Sequence, residues 1–322
     1  MGNFELVKEY KYPSGSVYVL YNKEKNFYIE TTSMQDVNTK GKSQEIIMTD
    51  DENLIKKNLV PFEEKWLTAI STQYGCPQHC QFCLVPELGF HGNLSTEDMW
   101  EQLEFVFSQH PEVTKSEKIK VGFARMGEPQ YNWKNILQVM RDMKTYKDGF
   151  TFLPCYNTIL PKVKVFGKSP VDVLRDEVMS VKEYLDGFMH VQISTNSTNE
   201  DERKYLFGGA DVVTIDEMKK EFNNMPNNNR LITLNFICGA GWELNPNKLY
   251  GLDPNVFCVK ITPLNATKEH GLEDAIQWNW ENMNKIKEKV ESCGLKVIVD
   301  VAAKAELPLC CGNLVQDYKK NR

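Results

Sequence analysis

The sequence predicts an α/β fold, a partial (β/α)6 barrel of TIM-like type that follows a small β-rich N-terminal segment. After residue 66, short runs rich in valine, isoleucine and phenylalanine alternate with longer amphipathic stretches of helical period, which is typical of parallel βαβ units. Before residue 66, short β-like runs are separated by polar turns. We therefore expect residues 1–65 to form a β-rich accessory region and residues 66–322 to form the barrel core.

The individual elements follow from these patterns in chain order. Ser16–Tyr21 and Phe27–Thr32 predict a hairpin, and Trp66–Ser71 predicts the first strand of the barrel. Ser95 is the predicted N-cap of a helix that runs to Gln109. The alternation then predicts strands at Lys118–Arg125, Phe150–Tyr156, Phe188–Ser194, Arg230–Cys238, Val256–Ile261 and Lys296–Val301, and helices at Asn132–Lys144, Pro170–Tyr184, Asp211–Asn223 and Trp278–Ser292.

Composition and charge narrow the class of protein. The 322 residues are 41% apolar and 25% charged, as in a globular protein, and no apolar run approaches the ~20 residues of a membrane span. Nine cysteines without a secretory signal favour a reducing compartment, so we expect a cytoplasmic monomer with no membrane partner. The net charge of −6 gives no overall basic footprint for nucleic acid, although lysine groups near residues 115–120 and 162–168 leave a local basic groove open.

Three cysteines carry the strongest functional pattern. Cys76, Cys80 and Cys83 have the spacing C-x3-C-x2-C, which can ligate three irons of a 4Fe–4S cluster and leave the fourth iron open for a small molecule. A structural zinc site needs four ligands and usually shows a second C-x2-C pair, and no such pair follows here. Zinc binding and simple core packing stay open as less favoured alternatives.

The cysteine loop resembles that of the radical S-adenosylmethionine (SAM) superfamily, in which an aromatic residue, here Phe82, precedes the last cysteine. The resemblance implies a barrel of radical-SAM type, with SAM bound through its amino and carboxylate groups to the open iron. It further implies that an electron donor such as flavodoxin or ferredoxin reduces the cluster. Cleavage of the sulfonium would then give a 5′-deoxyadenosyl radical.

Further segments narrow the resemblance to the RlmN/Cfr family of radical-SAM methyl synthases, which methylate adenosine in ribosomal and transfer RNA. The similarity covers residues 66–316 and rests on several segments in the family's order. They are Ser71–Cys76, Met126–Asn132, Val191–Ser194, Asn199–Arg203, Ile261–Asn265 and Cys311–Leu314.

The resemblance implies roles for single residues. Gly127 and Glu128 would hold the methionine part of SAM, whose other contacts would include Asn157, Ser194 and Asn265. Cys311 would be the methyl carrier, and Glu30 would face the substrate. In the family, one SAM methylates the carrier cysteine. The radical from a second SAM then removes hydrogen from this S-methyl group, and the carbon radical adds to the adenine ring.

Several positions depart from the family pattern. A second family cysteine, which resolves the protein–RNA crosslink, lies seven residues before the first cluster cysteine, and here this position is Ala69. Cys310 and Cys155 are candidates to replace it. The family's histidine after Ser-Leu is Asn196 here, and β-rich residues stand where the family has a helical RNA-binding module.

Three functions remain from the sequence. The first is an RNA adenosine methyl synthase that uses Cys311. The second is a divergent radical-SAM enzyme that removes hydrogen from a small molecule, a nucleotide or a peptide. The third is a non-catalytic protein that binds iron–sulfur or zinc. We favour the first, because the Cys311–Leu314 segment has no use in generic SAM cleavage.

Overall fold

The computed structural model describes residues 2–41, 43–46, 49–226, 229–238, 241–264, 280–300 and 313–320. Within these ranges the strands are β1 (Phe4–Tyr12), β2 (Gly15–Asn22), β3 (Phe27–Gln35), β4 (Trp66–Ile70), β5 (Gln73–Gly75), β6 (Phe90–Asn93), β7 (Ser116–Phe123), β8 (Phe150–Thr158), β9 (His190–Ser194), β10 (Ile232–Cys238), β11 (Phe257–Pro263) and β12 (Lys296–Val299).

Helices lie between most of the barrel strands. They are α1 (Ser43–Ile46), α2 (Glu52–Lys57), α3 (Thr96–Ser108), α4 (Trp133–Asp142), α5 (Pro170–Asp172), α6 (Met179–Tyr184), α7 (Glu200–Leu206), α8 (Ile215–Phe222), α9 (Pro246–Leu249), α10 (Trp280–Glu291) and α11 (Asn313–Lys320). A π-helical stretch, Val173–Val178, joins α5 to α6. No helix in the described ranges combines the length and apolarity that a membrane span requires.

One sheet of ten strands organises the described chain, in the order β1-β2-β3-β4-β7-β8-β9-β10-β11-β12. From β4 to β12 every neighbouring pair is parallel, and the helices lie on the connections between them. In this sheet β1 and β12 are the end strands, so the described strands form an open sheet and not a closed barrel. The predicted α/β partial barrel is confirmed.

The N-terminal strands extend this same sheet. β3 pairs antiparallel with β4 through Met34 opposite Leu67 and Gln35 opposite Trp66. The predicted hairpin is present as β2 and β3, which pair from Gly15 to Asn22. The boundary near residue 65 stays a prediction, because the backbone pairing runs across it without a break.

The sequence did not predict several elements, and β1 and α7 show the reason. β1 mixes charged and apolar residues on a half-buried to exposed strand at the edge of the sheet, so its pattern resembles a solvated loop. α7 has only seven residues and begins at an N-cap, Asn199, whose side chain accepts the N–H groups of Asp201 and Glu202. Such a short helix carries too few apolar positions to show a period.

Ser95 is the N-cap of α3, as the sequence predicts, and it forms a capping box with Asp98. The Ser95 hydroxyl accepts the backbone N–H of Asp98, and the Asp98 carboxylate accepts the backbone N–H of Ser95. These bonds satisfy two groups that a helix start would otherwise leave unpaired. They fix the start of α3 directly after β6, close in the chain to the cysteine loop.

Period-2 alternation decides which side chains face the inside of the barrel. On β7, Ile119, Val121 and Phe123 are fully buried on the side of the sheet that packs on the helices. Lys120 and Gly122 alternate with them and are only half-buried. The functional side chains therefore come from the second set of positions, at the carboxyl ends of the strands.

A buried glutamine ties α3 to the strand that leads into the cysteine loop. The Gln102 side chain is fully buried, and its Oε1 accepts the Ser71 N–H at 2.8 Å while its Nε2 donates to the Ser71 carbonyl at 3.1 Å. Both backbone groups of Ser71 thus depend on one side chain. The Gln102 amide thus makes the two hydrogen bonds with the Ser71 backbone that a neighbouring strand would otherwise make, and it holds the turn after β4 in place.

Replacing this amide by an apolar group of similar size tests its role. We expect Gln102→Leu to lower the free energy of unfolding by about 2–4 kcal/mol, because two buried backbone groups lose their partners. Urea denaturation measures the change. Gln138→Leu, at an exposed position of α4, is the matched control and should change stability by less than about 0.5 kcal/mol. Equal effects of the two variants would contradict the prediction.

Candidate functional site

A cavity of about 300 Å³ lies at the carboxyl ends of the parallel strands. Successive strands β7 to β11 each contribute residues at or just beyond their ends. Its lining includes Arg125, Asn157, Ser194, Ile237 and Leu264 from these strand ends, together with all three cysteines of the C-x3-C-x2-C loop. The parallel topology thus brings separate motifs of the sequence to one place.

The three cysteines fit an iron–sulfur cluster by the chemistry of their surroundings. Burial raises the pKa of the Cys76 thiol to about 12 and also raises that of Cys80, so both are protonated near neutral pH unless a cation is bound. Iron supplies the positive charge that converts such thiols to thiolates. Cys76, Cys80 and Cys83 all line the same cavity, so their sulfurs can serve one cluster.

The spacing of these thiols bears on the kind of metal site. In the part of the chain that the structure describes, no three His, Cys, Asp or Glu side chains converge closely enough to hold a single metal ion. A four-iron cluster distributes its cysteine ligands over different irons, so its ligands need not meet at one point. The three cysteines therefore stay candidates for a cluster, by their chemistry and by the cavity that they share.

Aromatic packing and one glycine hold the cysteine loop over the barrel. The Phe82 ring lies 6.2 Å from the Phe207 ring and 5.8 Å from the Trp242 ring, between centroids. A side chain at Gly208 would place its Cβ 2.3 Å from the His79 carbonyl oxygen, so the end of α7 approaches the loop as only glycine allows. The backbone N–H of Gln81 donates to the Leu206 carbonyl at 2.9 Å.

Gly127 lies in the turn after β7 and lines the cavity. Its φ is +103°, and a Cβ at this position would lie 2.7 Å from the Thr72 hydroxyl oxygen and from side-chain carbons of Gln73. The glycine is therefore required first by the protein's own packing against the start of the cysteine loop. This contact brings the turn and the loop together at the same wall of the cavity.

Glu128 is buried and held by three hydrogen bonds from the protein. Its Oε1 accepts the Gln130 N–H at 3.0 Å and the Thr158 hydroxyl, and its Oε2 accepts the Ile159 N–H at 3.1 Å. Burial raises the pKa of this carboxyl to about 7, although the three bonds favour the charged form. A carboxylate offers about four acceptor positions, so one on Oε2 is left for a ligand donor.

The remaining predicted SAM residues divide into two groups. Asn157 and Ser194 line the cavity, and the Asn157 amide donates to the Cys155 carbonyl at 3.0 Å. Asn265 and Cys311 lie outside the described residues, as does Cys310. The cavity therefore contains two of these side chains, and the roles of all of them stay predictions.

Several polar residues of the cavity were not predicted from the sequence, among them three near the ends of β9, β10 and β11. Gln192, Asn235 and Thr262 line it, and the Thr262 hydroxyl donates to the Asn235 amide oxygen at 2.7 Å. Each is a polar residue near the carboxyl end of an otherwise apolar parallel strand. That pattern, which a strand buried on both faces does not normally show, was the available indication.

Glu30 does not line the cavity. Its side chain is fully buried in β3, where Oε2 lies 2.8 Å from Arg125 Nε and Oε1 accepts the Val315 N–H at 3.0 Å. Arg125 does line the cavity. The predicted substrate-facing carboxylate thus lies behind the cavity wall, in contact with both the wall and α11.

Ala69 and Cys155 lie in one row across the sheet. Ala69 is in register with Gly122, and Gly122 is in register with Cys155 on the next strand. Cys155 is buried, which raises the pKa of its thiol. The sequence candidate for a second thiol thus lies two strands away from Ala69, at the same level of the barrel.

The chain is similar to known proteins both in fold and in sequence. The chain is similar to a solved radical SAM methyltransferase from Sphaerobacter thermophilus, with a TM-score of 0.65 and 17% identity over 97% of this chain and 81% of that one. No protein-family model matches the chain. The structural likeness shows that the two chains share their fold.

Sequence comparison finds similarity to RNA methyltransferases named RlmN. The chain is 28% identical over 201 residues to a probable dual-specificity RNA methyltransferase RlmN of Chlorobaculum tepidum, which is 61% of this chain and 49% of that protein. It is 28% identical over 159 residues to RlmN of Syntrophus aciditrophicus, 44% of each chain. It is 21% identical over 281 residues to a probable RlmN of Chlorobium phaeobacteroides, 84% of this chain and 72% of that one.

The chain is therefore similar in sequence to RlmN proteins and in fold to a radical SAM methyltransferase. The matches to the first two relatives span about half of their length, so the similarity does not carry over their whole activity. The predicted resemblance is confirmed at this level, and the relatives are named as methyltransferases, as we expected for an enzyme of this kind.

A substitution at Gly127 tests whether this position needs glycine because a Cβ would clash with its neighbours, and not only because of its positive φ. We expect Gly127→Ala to lower the free energy of unfolding by about 1–3 kcal/mol more than Gly92→Ala, because overpacking adds to the backbone strain. Gly92 is the matched control, since its φ is +114° and a Cβ there would meet nothing within 4 Å. Thermal denaturation of both variants measures the difference, and equal losses would contradict the steric account.

Proposed function

We propose that the chain is a radical SAM enzyme that binds a 4Fe–4S cluster through Cys76, Cys80 and Cys83 and cleaves SAM reductively. The observation that carries this proposal is the common cavity of the three cysteines, the Gly127–Glu128 turn and Ser194. These residues come from widely separated parts of the sequence. Because they line one cavity, they could all contact a single polar ligand such as SAM.

The cluster, when bound, would supply the electron that breaks the sulfonium bond. The chain's own residues would bind and orient SAM. The free acceptor position of Glu128 would accept a hydrogen bond from the methionine ammonium of SAM. Ser194 and Asn157 offer further polar contacts. Ile237 and Leu264 give the cavity an apolar side that would exclude water from the reacting atoms.

We propose further that the enzyme is an RNA adenosine methyl synthase and that Cys311 carries the methyl group. Two observations support this. The chain is similar to proteins that are named RNA methyltransferases, and its Cys-Gly-Asn-Leu segment at 311–314 resembles the carrier segment of that family. Such a carrier lets an electron-poor ring carbon be methylated by radical addition.

An aromatic and basic patch on the rim supports RNA as the substrate. This rim patch consists of Phe166 and Lys164, in the segment after β8, and of Lys134, in the first turn of α4. Phe166 is 64% exposed in a left-handed conformation with φ +52°, and Lys134 Nζ lies 4.2 Å from its ring centroid. An exposed ring beside cations is how single-stranded nucleic acid is bound without sequence preference.

Ala69 favours the second candidate function, a radical SAM enzyme that acts on a small molecule, a nucleotide or a peptide. The family's resolving thiol is replaced there by a methyl group, next to Gly122 in the barrel. A reaction that ends with hydrogen abstraction needs no protein–substrate crosslink and therefore no resolving thiol. The two functions differ in whether Cys311 takes a methyl group.

Mass spectrometry of Cys311 tests the proposed function. We expect the anaerobically reconstituted protein, incubated with SAM and reductant, to carry one added methyl group on Cys311 and to release 5′-deoxyadenosine. Cys311→Ala should lose methyl transfer to RNA. Cys293→Ala, which removes another half-buried free cysteine, is the matched control and should keep it.

The outcomes separate the candidates. Unmodified Cys311 together with 5′-deoxyadenosine formation would favour the second function. No 5′-deoxyadenosine from the reconstituted protein would contradict both enzymatic readings. Cys80→Ala should abolish this product in either case, since one iron would lose its thiolate.

The rim patch makes a second prediction. We expect Phe166→Ala and Lys134→Ala each to weaken binding of an adenosine-containing RNA hairpin, Phe166→Ala by about tenfold through lost stacking. Fluorescence anisotropy measures the affinity. Tyr184→Ala is the matched control, because Lys144 Nζ lies 4.7 Å from its ring centroid and the ring is also exposed, but at the last residue of α6, before β9 begins. Similar losses in the rim and control variants would contradict a specific patch.

A further inference from the structure

The carboxylate of Glu30 joins three parts of the chain that are far apart in sequence. It belongs to β3, it contacts Arg125 just after β7, and it accepts the N–H of Val315 in the first turn of α11. The bond to Val315 spans 285 residues. The side chain has no exposed surface, and each of its oxygens has a partner.

A second contact ties the same helix to the cysteine loop. The Gln316 side chain is 6% exposed, and its Nε2 donates to the Leu84 carbonyl at 2.8 Å and to Glu87 Oε2 at 2.8 Å. Leu84 directly follows Cys83 in the sequence. The helix is thereby bonded to the end of the loop that holds the three cysteines.

The outer side of the helix rests on the N-terminal strands. The Tyr10 hydroxyl donates to Asp317 Oδ2 at 2.7 Å, and the rings of Tyr28 and Tyr318 lie 5.5 Å apart between centroids. α11 has only eight residues, and isolated helices of this length are not stable in water. Its existence and its position therefore depend on these contacts with the rest of the chain.

We propose that Glu30 is a positioning residue, which fixes the start of α11 against the cavity wall and so sets the point from which the chain leads back to Cys311. Cys311 precedes the helix by two residues in the sequence. A group that exchanges protons with substrate must reach it, whereas this carboxylate is enclosed and bonded on both oxygens. The part of this inference that concerns methyl transfer rests on the proposed function of Cys311.

Two variants disrupt the hydrogen bond between the Val315 N–H and the Glu30 carboxylate, one at the acceptor and one at the donor. Glu30→Gln removes the charge, and Val315→Pro removes the N–H donor without changing Glu30 or Arg125. Proline is tolerated in the first turn of a helix, because the N–H groups there have no intrahelical partner. Leu314→Pro is the matched control for the helix, since it also replaces a buried apolar side chain of the first turn by proline but keeps the Val315 N–H.

Glu101→Gln is the control for the carboxylate. Glu101 also accepts backbone N–H groups, those of Asn3 and Phe4, but at the start of β1 and not at α11. The readout is hydrogen–deuterium exchange of residues 313–320 in the full chain with its cluster reconstituted. We expect exchange in this segment to be at least about tenfold faster in Val315→Pro than in Leu314→Pro, and at least about tenfold faster in Glu30→Gln than in Glu101→Gln.

A second readout separates positioning from mere stability. We expect the number of methyl groups on Cys311 per 5′-deoxyadenosine formed to fall at least about tenfold in both test variants. A loss of folded protein would lower the two products together and leave this ratio unchanged. Restoration of the ratio by Glu30→Asp in place of Glu30→Gln would support the need for a carboxylate.

The exchange measurement needs no turnover, so the two proposals fail separately. Unchanged exchange in Glu30→Gln and Val315→Pro, or equal loosening by Leu314→Pro, would overturn the positioning role. An unchanged methyl ratio with loosened exchange would overturn the link to the carrier. Wild-type protein without methyl on Cys311 would remove the proposed methyl synthase function, while selective loosening would still support the role of Glu30 in docking the helix.

Discussion

The shape of the cavity depends on one buried carboxylate. Glu128 leaves the end of β7 in a tight turn, and its oxygens bind Thr158 and Ile159 at the end of β8, so a single side chain locks two neighbouring strand ends together. On the other side, the Glu128 N–H donates to the Gln73 amide oxygen at 2.9 Å, at the entrance to the cysteine loop. The loop, the turn and the next strand are thus one connected unit.

Burial of polar groups is the cost of this arrangement. The thiols of Cys76 and Cys80 and the carboxyl of Glu128 all have pKa values raised by desolvation, so each disfavours its charged form before a ligand arrives. A cationic iron centre and the ammonium of a bound amino acid would each relieve this cost. The site is built to gain more from its ligands than an exposed set of the same residues would.

Sequence reasoning found the features that local chemistry determines. The alternation of strands and helices, the Ser95 N-cap and the cysteine loop are each encoded within a few residues, and the comparisons or the structure bear out the fold and the cap. Contacts between residues far apart in the chain could not be predicted from the sequence. The enclosure of Glu30 depends on Arg125 and Val315, and the need for Gly127 depends on Thr72, which no local pattern reveals.

The contact between β3 and α11 has a consequence for how the chain is made. A ribosome completes β3 early, whereas the helix that covers the Glu30 carboxylate comes from the last residues of the sequence given. During synthesis the Glu30 Oε1 atom therefore lacks its Val315 partner until residues 313–320 are made, although Arg125 can already bind Oε2. Until then the Leu84 carbonyl at the end of the cysteine loop also lacks its hydrogen bond from Gln316.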